Sequence, residues 1–161
     1  MSLYSKEILR LSKTSLPPLE ESSFEFSHEH IQEHRLSNPI CGDRVVWRVV
    51  MVNGCIQEAW YQAKGCALCK ASSALLYDGL VGESASDVVN RVEQFVEDID
   101  GILIGRCVEG EALLFNSLPI AKARKECVVL SWKALQPLLS QNGVQDDPDS
   151  ERIEVFVKSQ V

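Results

Sequence analysis

Residues 44–63, RVVWRVVMVNGCIQEAWYQA, decide the predicted fold. The first nine of them, 44–52, are mostly β-branched or aromatic residues, which are typical of a strand. Asn53-Gly54 follows, and this dipeptide is the strongest local predictor of a two-residue hairpin turn. Residues 55–63 then provide the returning strand. The sequence therefore predicts an antiparallel hairpin near the middle of the chain.

Helical segments flank this hairpin on both sides. In each of them, apolar residues either recur at the spacing of one helix face or belong to an Ala/Leu-rich run. The predicted helices cover residues 3–13, 66–79, 84–99 and 113–139, with Gly101 ending the third of them. Because the strands precede a run of helices, the predicted class is α+β, a small antiparallel sheet of about three strands with helices packed on one face.

Length, charge and apolar runs indicate the number of domains and exclude some kinds of partner. A chain of 161 residues suits one domain. We assign that domain to residues 1–140 and an acidic C-terminal tail to 141–161, within which residues 152–157 alternate like a strand. The formal net charge of -7 argues against nucleic acid as a partner. No apolar run approaches the roughly 20 residues that span a bilayer, so we expect no membrane association.

The interpretation of the cysteines depends on whether the compartment is reducing or oxidising. The first residues, MSLYSKEILRLSKTS, lack the apolar core and cleavage site of a secretory signal, so we expect the reducing cytoplasm. In that compartment the 6 cysteines are expected to be metal ligands, reactive thiols or buried apolar residues rather than disulfides. Cys55 and Cys107 are predicted to be packed in the core.

Three other cysteines stand where the chain changes direction or element. Cys41 precedes the first hairpin strand, Cys66 follows Gly65 at the change from strand to helix, and Cys127 lies in the last helical region. Their separations exclude a zinc finger or ribbon, whose ligand pairs are local. At the start of a helix, Cys66 is expected to have a lowered thiol pKa.

Asp43 is a candidate fourth ligand beside these cysteines. It comes two residues after Cys41, so both side chains lie on one side of an extended chain. Three thiolates and a carboxylate suit a four-coordinate zinc ion or an iron–sulfur cluster. The alternative is that each cysteine is merely buried, as free cysteines often are.

Two further patterns have competing interpretations. His30-Ile31-Gln32-Glu33-His34 fits the inverted zinc-protease signature, but the nearby Asn38-Pro39 leaves little room for a helix, and we favour a solvated surface segment. Cys66-Ala67-Leu68-Cys69 fits a thioredoxin-type dithiol motif, or else Cys69 is a small residue facing the core.

The cysteine-containing segments together resemble a known family. Asn38-Pro39-Ile40-Cys41-Gly42-Asp43 precedes a strand, Gly65-Cys66 begins an Ala/Ser-rich helix, and Arg124-x-x-Cys127-x-x-Leu130-Ser131-Trp132 lies in the last helix. In this order they resemble the IscU/SufU family of iron–sulfur cluster assembly proteins, the NifU N-terminal type, over residues 36–136. The long interval between Cys66 and Cys127 is similar to that of the SufU branch.

The resemblance implies a site, a cofactor and partners. The metal ligands would be Cys41, Asp43, Cys66 and Cys127, and they would hold zinc or a transient [2Fe–2S] cluster. Cys127 would accept persulfide sulfur from a PLP-dependent cysteine desulfurase, and Arg124 would help present its helix to that partner. Recipient apo-proteins would take the finished cluster. The fold implied is a three-stranded antiparallel sheet with helices on one side.

Glu126 departs from the family pattern, which has His or Lys immediately before the last cysteine. A carboxylate there would disfavour the Cys127 thiolate or serve as an additional hard ligand for iron. Cys69 is the second auxiliary candidate in the site. We therefore expect a scaffold or carrier, at most a sulfurtransferase. The alternatives are a metal- or desulfurase-binding module without transfer activity, and a dithiol oxidoreductase using Cys66 and Cys69.

Overall fold

The structure, a computed structural model, describes residues 6–14, 16, 30–116, 122–140 and 154–157. None of the helices in those ranges is long and apolar enough to cross a membrane. The elements in chain order are α1 (Lys6–Ser12), β1 (His30–Ser37), β2 (Arg44–Val52), β3 (Cys55–Lys64), α2 (Ala67–Tyr77), α3 (Ala85–Leu103), a 3-10 helix (Gly110–Phe115), α4 (Lys122–Leu139) and β4 (Glu154–Val157).

The strands form one antiparallel sheet in the order β3-β2-β1-β4. Its centre is the predicted hairpin, whose β2 has the predicted bounds. Asn53 and Gly54 both have positive φ, 51° and 77°, as the tight hairpin turn requires. The sequence alternation at 152–157 is confirmed as a strand for residues 154–157, which pair with β1 and lie within the segment assigned to the acidic tail.

Strand β1 corrects the sequence analysis, which favoured a solvated segment at residues 30–34. The segment pairs with β2 in a register that sets His34 opposite Trp47. Glu33 and His34 are both 1% exposed, on opposite faces of the sheet. The imidazole Nδ1 lies 2.6 Å from the Ala134 carbonyl oxygen, and the Glu33 carboxylate pairs with Arg35 and Arg48. These contacts also remove the zinc-protease interpretation.

Two helix boundaries differ from the predictions. Gly101 does not end its helix, which continues to Leu103. A Cβ at this buried glycine would lie 3.2 Å from nitrogens of the Arg106 guanidinium, which is the far end of an exposed, flexible side chain. The region predicted as helix over 113–139 contains the end of the 3-10 helix and α4. Residues 117–121 of this region lie outside the described residues.

The helices cover the face of the sheet that carries Trp47. Helix α4 packs on β1 and β2 and against α2 and α3, while α1 packs on α2. Hydrogen bonds within the core fix these positions. Trp47 Nε1 donates to Ser131 Oγ at 2.8 Å, and Trp132 Nε1 donates to Ser72 Oγ at 2.8 Å. Ser72 Oγ in turn donates to the Val128 carbonyl at 2.5 Å, so α2 and α4 have a fixed relative position.

We predict that Ser72→Ala lowers the free energy of unfolding by about 1–3 kcal/mol, because it leaves the buried indole N–H of Trp132 without its acceptor. Ser73→Ala is the matched control. Ser73 is also 0% exposed, but its hydroxyl bonds within its own helix, to the Cys69 carbonyl, so we expect a smaller loss. Urea unfolding measures both. Equal losses would contradict the assigned role of Ser72.

Candidate metal centre

The turn between β1 and β2 presents Cys41. Asn38 N donates to the Asp43 carbonyl, and Gly42 N donates to the Asn38 carbonyl, both at 2.8 Å. Ile40 N donates to Asn38 Oδ1 at 3.0 Å, which closes an Asx turn. Gly42 takes a φ of 75°, which suits glycine. The turn leaves Cys41 exposed and places Asp43, 3% exposed, underneath it.

Asp43 joins this turn to the start of α2. Its Oδ1 accepts the Cys66 backbone N–H at 3.1 Å, and its Oδ2 accepts the Cys66 thiol at 3.2 Å. Gly65 makes this approach sterically feasible. A Cβ at Gly65 would lie 2.1 Å from Asp43 Oδ1, and its φ of 147° disfavours any L side chain. The Gly65-Cys66 dipeptide therefore provides space for the carboxylate as well as a thiol.

Helix α4 brings the third cysteine to the same place. Cys127 Sγ lies 3.3 Å from Cys41 Sγ. One ligand atom from each of Cys41, Asp43 and Cys127 lies within 4.8 Å of the others. Cys66 is linked to this group through Asp43. Three segments that are distant in the sequence thus converge on one site.

The donor set fits a thiophilic metal ion. Two sulfurs bound to a tetrahedral zinc at about 2.3 Å each would lie about 3.8 Å apart. The two sulfurs of Cys41 and Cys127 would need to separate by only a few tenths of an ångström to reach that geometry. Cys66 and Asp43 would supply the remaining ligands for zinc, or all four groups would hold the two irons of a [2Fe–2S] cluster.

Burial controls the ionisation of the metal-free thiols. Desolvation, followed by the hydrogen bonds with Cys41 and Asp43, raises the pKa of Cys127. Desolvation also raises the pKa of Cys66, despite its place at the N-terminus of α2. The expected lowering at Cys66 is therefore wrong for the metal-free site, because burial outweighs the backbone N–H groups. A bound cation would reverse this by favouring the thiolates.

Comparisons with known proteins identify the family. The model described as the NifU-like N terminal domain matches residues 4–141. This chain belongs to that family. It is 23% identical over 104 residues to the iron-sulfur cluster assembly scaffold protein IscU of Thermotoga maritima, with 65% of this chain and 73% of that protein covered. It is 24% identical over 102 residues to the zinc-dependent sulfurtransferase SufU of Bacillus subtilis, with 63% and 69% covered.

Structural similarity supports the same fold. The FiSufU chain of Fervidobacterium islandicum AW-1 superposes with a TM-score of 0.60 at 21% identity, covering 86% of this chain and 97% of that one. The α+β class, with antiparallel strands and packed helices, is thus confirmed as a NifU N-terminal fold. Strand β4 adds a fourth strand to the three predicted ones.

The remaining candidate site residues of this NifU-type domain differ in their exposure. Arg124 is exposed on α4, one turn before Cys127. Glu126 is half-exposed. Its carboxylate forms an ion pair with Lys133 of the same helix, at 3.4 Å from Lys133 Nζ. Cys69 is 0% exposed within the hydrophobic core.

The two cysteines predicted to be core residues differ from each other. Cys107 is exposed, so its predicted packing is wrong, and Cys55 is only half-buried. Cys107 follows the end of α3 in an irregular segment, where its neighbour Val108 is partly buried instead. Neither cysteine belongs to the group of ligand atoms around Asp43.

Proposed function

We propose that this protein is an iron–sulfur cluster assembly protein that accepts sulfur from a PLP-dependent cysteine desulfurase and serves as a scaffold or sulfur carrier. The observation that carries the proposal is the convergence of Cys41, Asp43 and Cys127, with ligand atoms within 4.8 Å of one another. The curated relatives include both a cluster scaffold and a zinc-dependent sulfurtransferase, which supports this class of function. Recipient apo-proteins would take the sulfur or cluster onward.

The site is proposed to hold zinc, or the [2Fe–2S] cluster as cargo, through Cys41, Asp43, Cys66 and Cys127. When bound, zinc would keep these thiols deprotonated and ordered. Asp43 would be the weakest ligand for a thiophilic ion, because carboxylate oxygen is harder than thiolate sulfur. The Cys66 backbone N–H, which donates to Asp43 Oδ1, gives the carboxylate an alternative partner when it leaves the metal.

The sulfur acceptor is proposed to be Cys127. Its thiolate would attack the outer sulfur of the desulfurase persulfide, and the desulfurase thiolate would leave. Cys127 is only 3% exposed, whereas the contacting Cys41 is exposed, so the persulfide would approach from the side of Cys41. Arg124, exposed one turn earlier on α4, would contact the desulfurase on that approach.

We predict that the purified protein contains about one zinc per chain, or acquires an iron–sulfur chromophore on anaerobic reconstitution. Cys41→Ala should lower the bound metal by about tenfold or more, because it removes a thiolate ligand. Elemental analysis and the visible spectrum measure this.

Cys107→Ser is the matched control for that experiment, since Cys107 is another exposed thiol but lies outside the group of ligand atoms. It should retain the metal. Circular dichroism checks that Cys41→Ala remains folded, as expected for an exposed position in a turn. Equal metal content in both variants and the wild type would contradict the proposed site.

A further inference from the structure

His34 is a buried polar side chain on the face of the sheet that packs against α4. It is 1% exposed, and its Nδ1 lies 2.6 Å from the Ala134 carbonyl oxygen. A carbonyl oxygen only accepts hydrogen bonds, so Nδ1 carries the proton and donates. The other ring nitrogen, Nε2, is buried without a hydrogen-bond partner in the described part of the chain. The ring is therefore held in this part of the fold by its single hydrogen bond to α4.

A second hydrogen bond joins the sheet to α4 beside this one. Trp47 stands opposite His34 in the register of β1 and β2, and its Nε1 donates to Ser131 Oγ at 2.8 Å. Ser131 and Ala134 are three residues apart, so they share a face of the helix. Two adjacent positions of the sheet thus bond to two adjacent positions of α4. Together they fix the position of the helix along the strands and its rotation about its own axis.

The same face of α4 carries Cys127, seven residues before Ala134. The helix covers about 10 Å between these two residues. From His34, strand β1 covers about 10 Å before the turn that contains Cys41 begins. The hydrogen bond of His34 and the contact of the two sulfurs, 3.3 Å apart, are thus the two ends of one connected unit.

We propose that His34 is a positioning residue for the metal centre. Its bond to the Ala134 carbonyl, assisted by that of Trp47, sets the distance between the sulfurs of Cys41 and Cys127. A shift of α4 by one residue would move Cys127 by about 1.5 Å. That shift is several times larger than the few tenths of an ångström by which the sulfurs differ from their separation around a tetrahedral zinc. Apolar packing alone would oppose it weakly, because packing is not directional and hydrogen bonds are.

The other hydrogen bonds of α4 do not replace this one. Those of Ser72 hold α4 against α2, the helix that begins beside Cys66. They set Cys127 relative to Cys66, whereas His34 acts between α4 and the strand that precedes the turn. This inference rests on the proposed function for the role of the aligned sulfurs as metal ligands.

The test compares variants of the full-length protein that lack or keep the donor. His34→Leu removes the N–H but fills much of the space of the ring. His34→Asn keeps an N–H, because its amide nitrogen is bonded to Cγ as Nδ1 is. The reduced, metal-free protein is equilibrated without oxygen in glutathione redox buffers, and peptide mapping quantifies the Cys41–Cys127 disulfide. The oxidised fraction gives the effective concentration of one thiol at the other.

His34→Leu should lower this effective concentration by about tenfold and raise the zinc dissociation constant by about tenfold, because the sulfurs are no longer aligned. His34→Asn should stay within about twofold of the wild type in both measurements, since the donor is kept. Gly79→Ala is the control for a general loss of stability. It strains the backbone after α2, outside the contact of the sheet with α4, and should change neither value.

Wild-type values in His34→Leu would overturn the proposal, and so would an equal loss in His34→Asn or Gly79→Ala. A wild type that forms no Cys41–Cys127 disulfide would overturn it as well. If circular dichroism shows that His34→Leu is unfolded, Ser131→Ala takes its place, because it removes the neighbouring bond of Trp47 and should lower the effective concentration too. Wild-type values in Ser131→Ala would then overturn the proposal.

Zinc binding separates this inference from the proposed function. The disulfide measurement needs no metal and no desulfurase. A wild type that forms the disulfide, with the expected loss in His34→Leu, but binds neither zinc nor an iron–sulfur cluster would contradict only the proposed function. A wild type that binds zinc as tightly as His34→Leu does would contradict only the positioning role of His34.

Discussion

Cys127→Ser is expected to lower the sulfur accepted from a cysteine desulfurase by about tenfold or more. The serine hydroxyl does not attack a persulfide, because it is neither a soft nucleophile nor ionised near neutral pH. Serine is close to cysteine in size, so the buried position should remain packed. The measurement supplies the desulfurase with ³⁵S-labelled cysteine and counts the label retained on this protein after separation under non-reducing conditions.

The control is Cys107→Ser, which removes an exposed thiol outside the ligand group and should leave the transferred label unchanged. Label retained by Cys127→Ser at the wild-type rate would show that another thiol accepts the sulfur. Cys41 would then be the next candidate, because it is the exposed sulfur in contact with Cys127. A variant of Cys41 tested in the same assay would decide between the two.

Gly65→Ala is expected to lower the free energy of unfolding by about 2–4 kcal/mol and to remove most of the bound metal. The new Cβ would lie 2.1 Å from Asp43 Oδ1, so the carboxylate has to leave its place and lose both hydrogen bonds with Cys66. The backbone would also be strained at a φ of 147°. Urea unfolding and elemental analysis measure the two effects.

Gly79→Ala separates the two causes. Gly79 also has a positive φ, 73°, but a Cβ there would have nothing within 4 Å. It should cost about 1 kcal/mol in backbone strain and leave the metal content unchanged. If Gly65→Ala keeps its metal, or if both variants lose the same stability, the space beside Asp43 is not what requires glycine at position 65.

The hairpin was predictable because its determinants are local. The β-branched residues of β2 and the Asn53-Gly54 turn specify a strand and a connection without reference to the rest of the chain. Convergence of the cysteines was not predictable from spacing alone. It followed from the resemblance of three short segments to one family, and in the structure the sulfurs of Cys41 and Cys127 lie 3.3 Å apart.

Strand β1 could not be recognised because its polar residues are buried through contacts with β2 and α4. Glu33 is accommodated by Arg48 on β2 and by Arg35, and His34 by a carbonyl on α4. Arg48 and the Ala134 carbonyl are distant from His30 in the sequence, so a window of a few residues does not show them. The apolar residues Ile31 and Leu36 at its ends were the available signal, and their spacing is too wide to show alternation.

The prediction of a lowered pKa for the Cys66 thiol failed for a related reason. Its position at the start of α2 was read correctly, but the sequence does not show how deeply the site lies beneath the turn containing Cys41. Burial raises the pKa of Cys66 more than the backbone N–H of Cys69 lowers it. Likewise, the apolar residues around Cys107 suggested that its side chain is buried, although it is exposed.

The sulfurs of Cys41 and Cys127 lie on two parts of the fold that are held by different contacts. Cys127 belongs to a helix held by the indole–hydroxyl hydrogen bonds of Trp47 and Trp132, whereas Cys41 lies in a turn closed by hydrogen bonds within residues 38–43. An outward movement of the turn containing Cys41 would free one metal-coordination position without disturbing the hydrophobic core. A bound metal or cluster would then be loaded and released through movement of the Cys41 turn and of the weak ligand Asp43, while Cys127 keeps its place on α4.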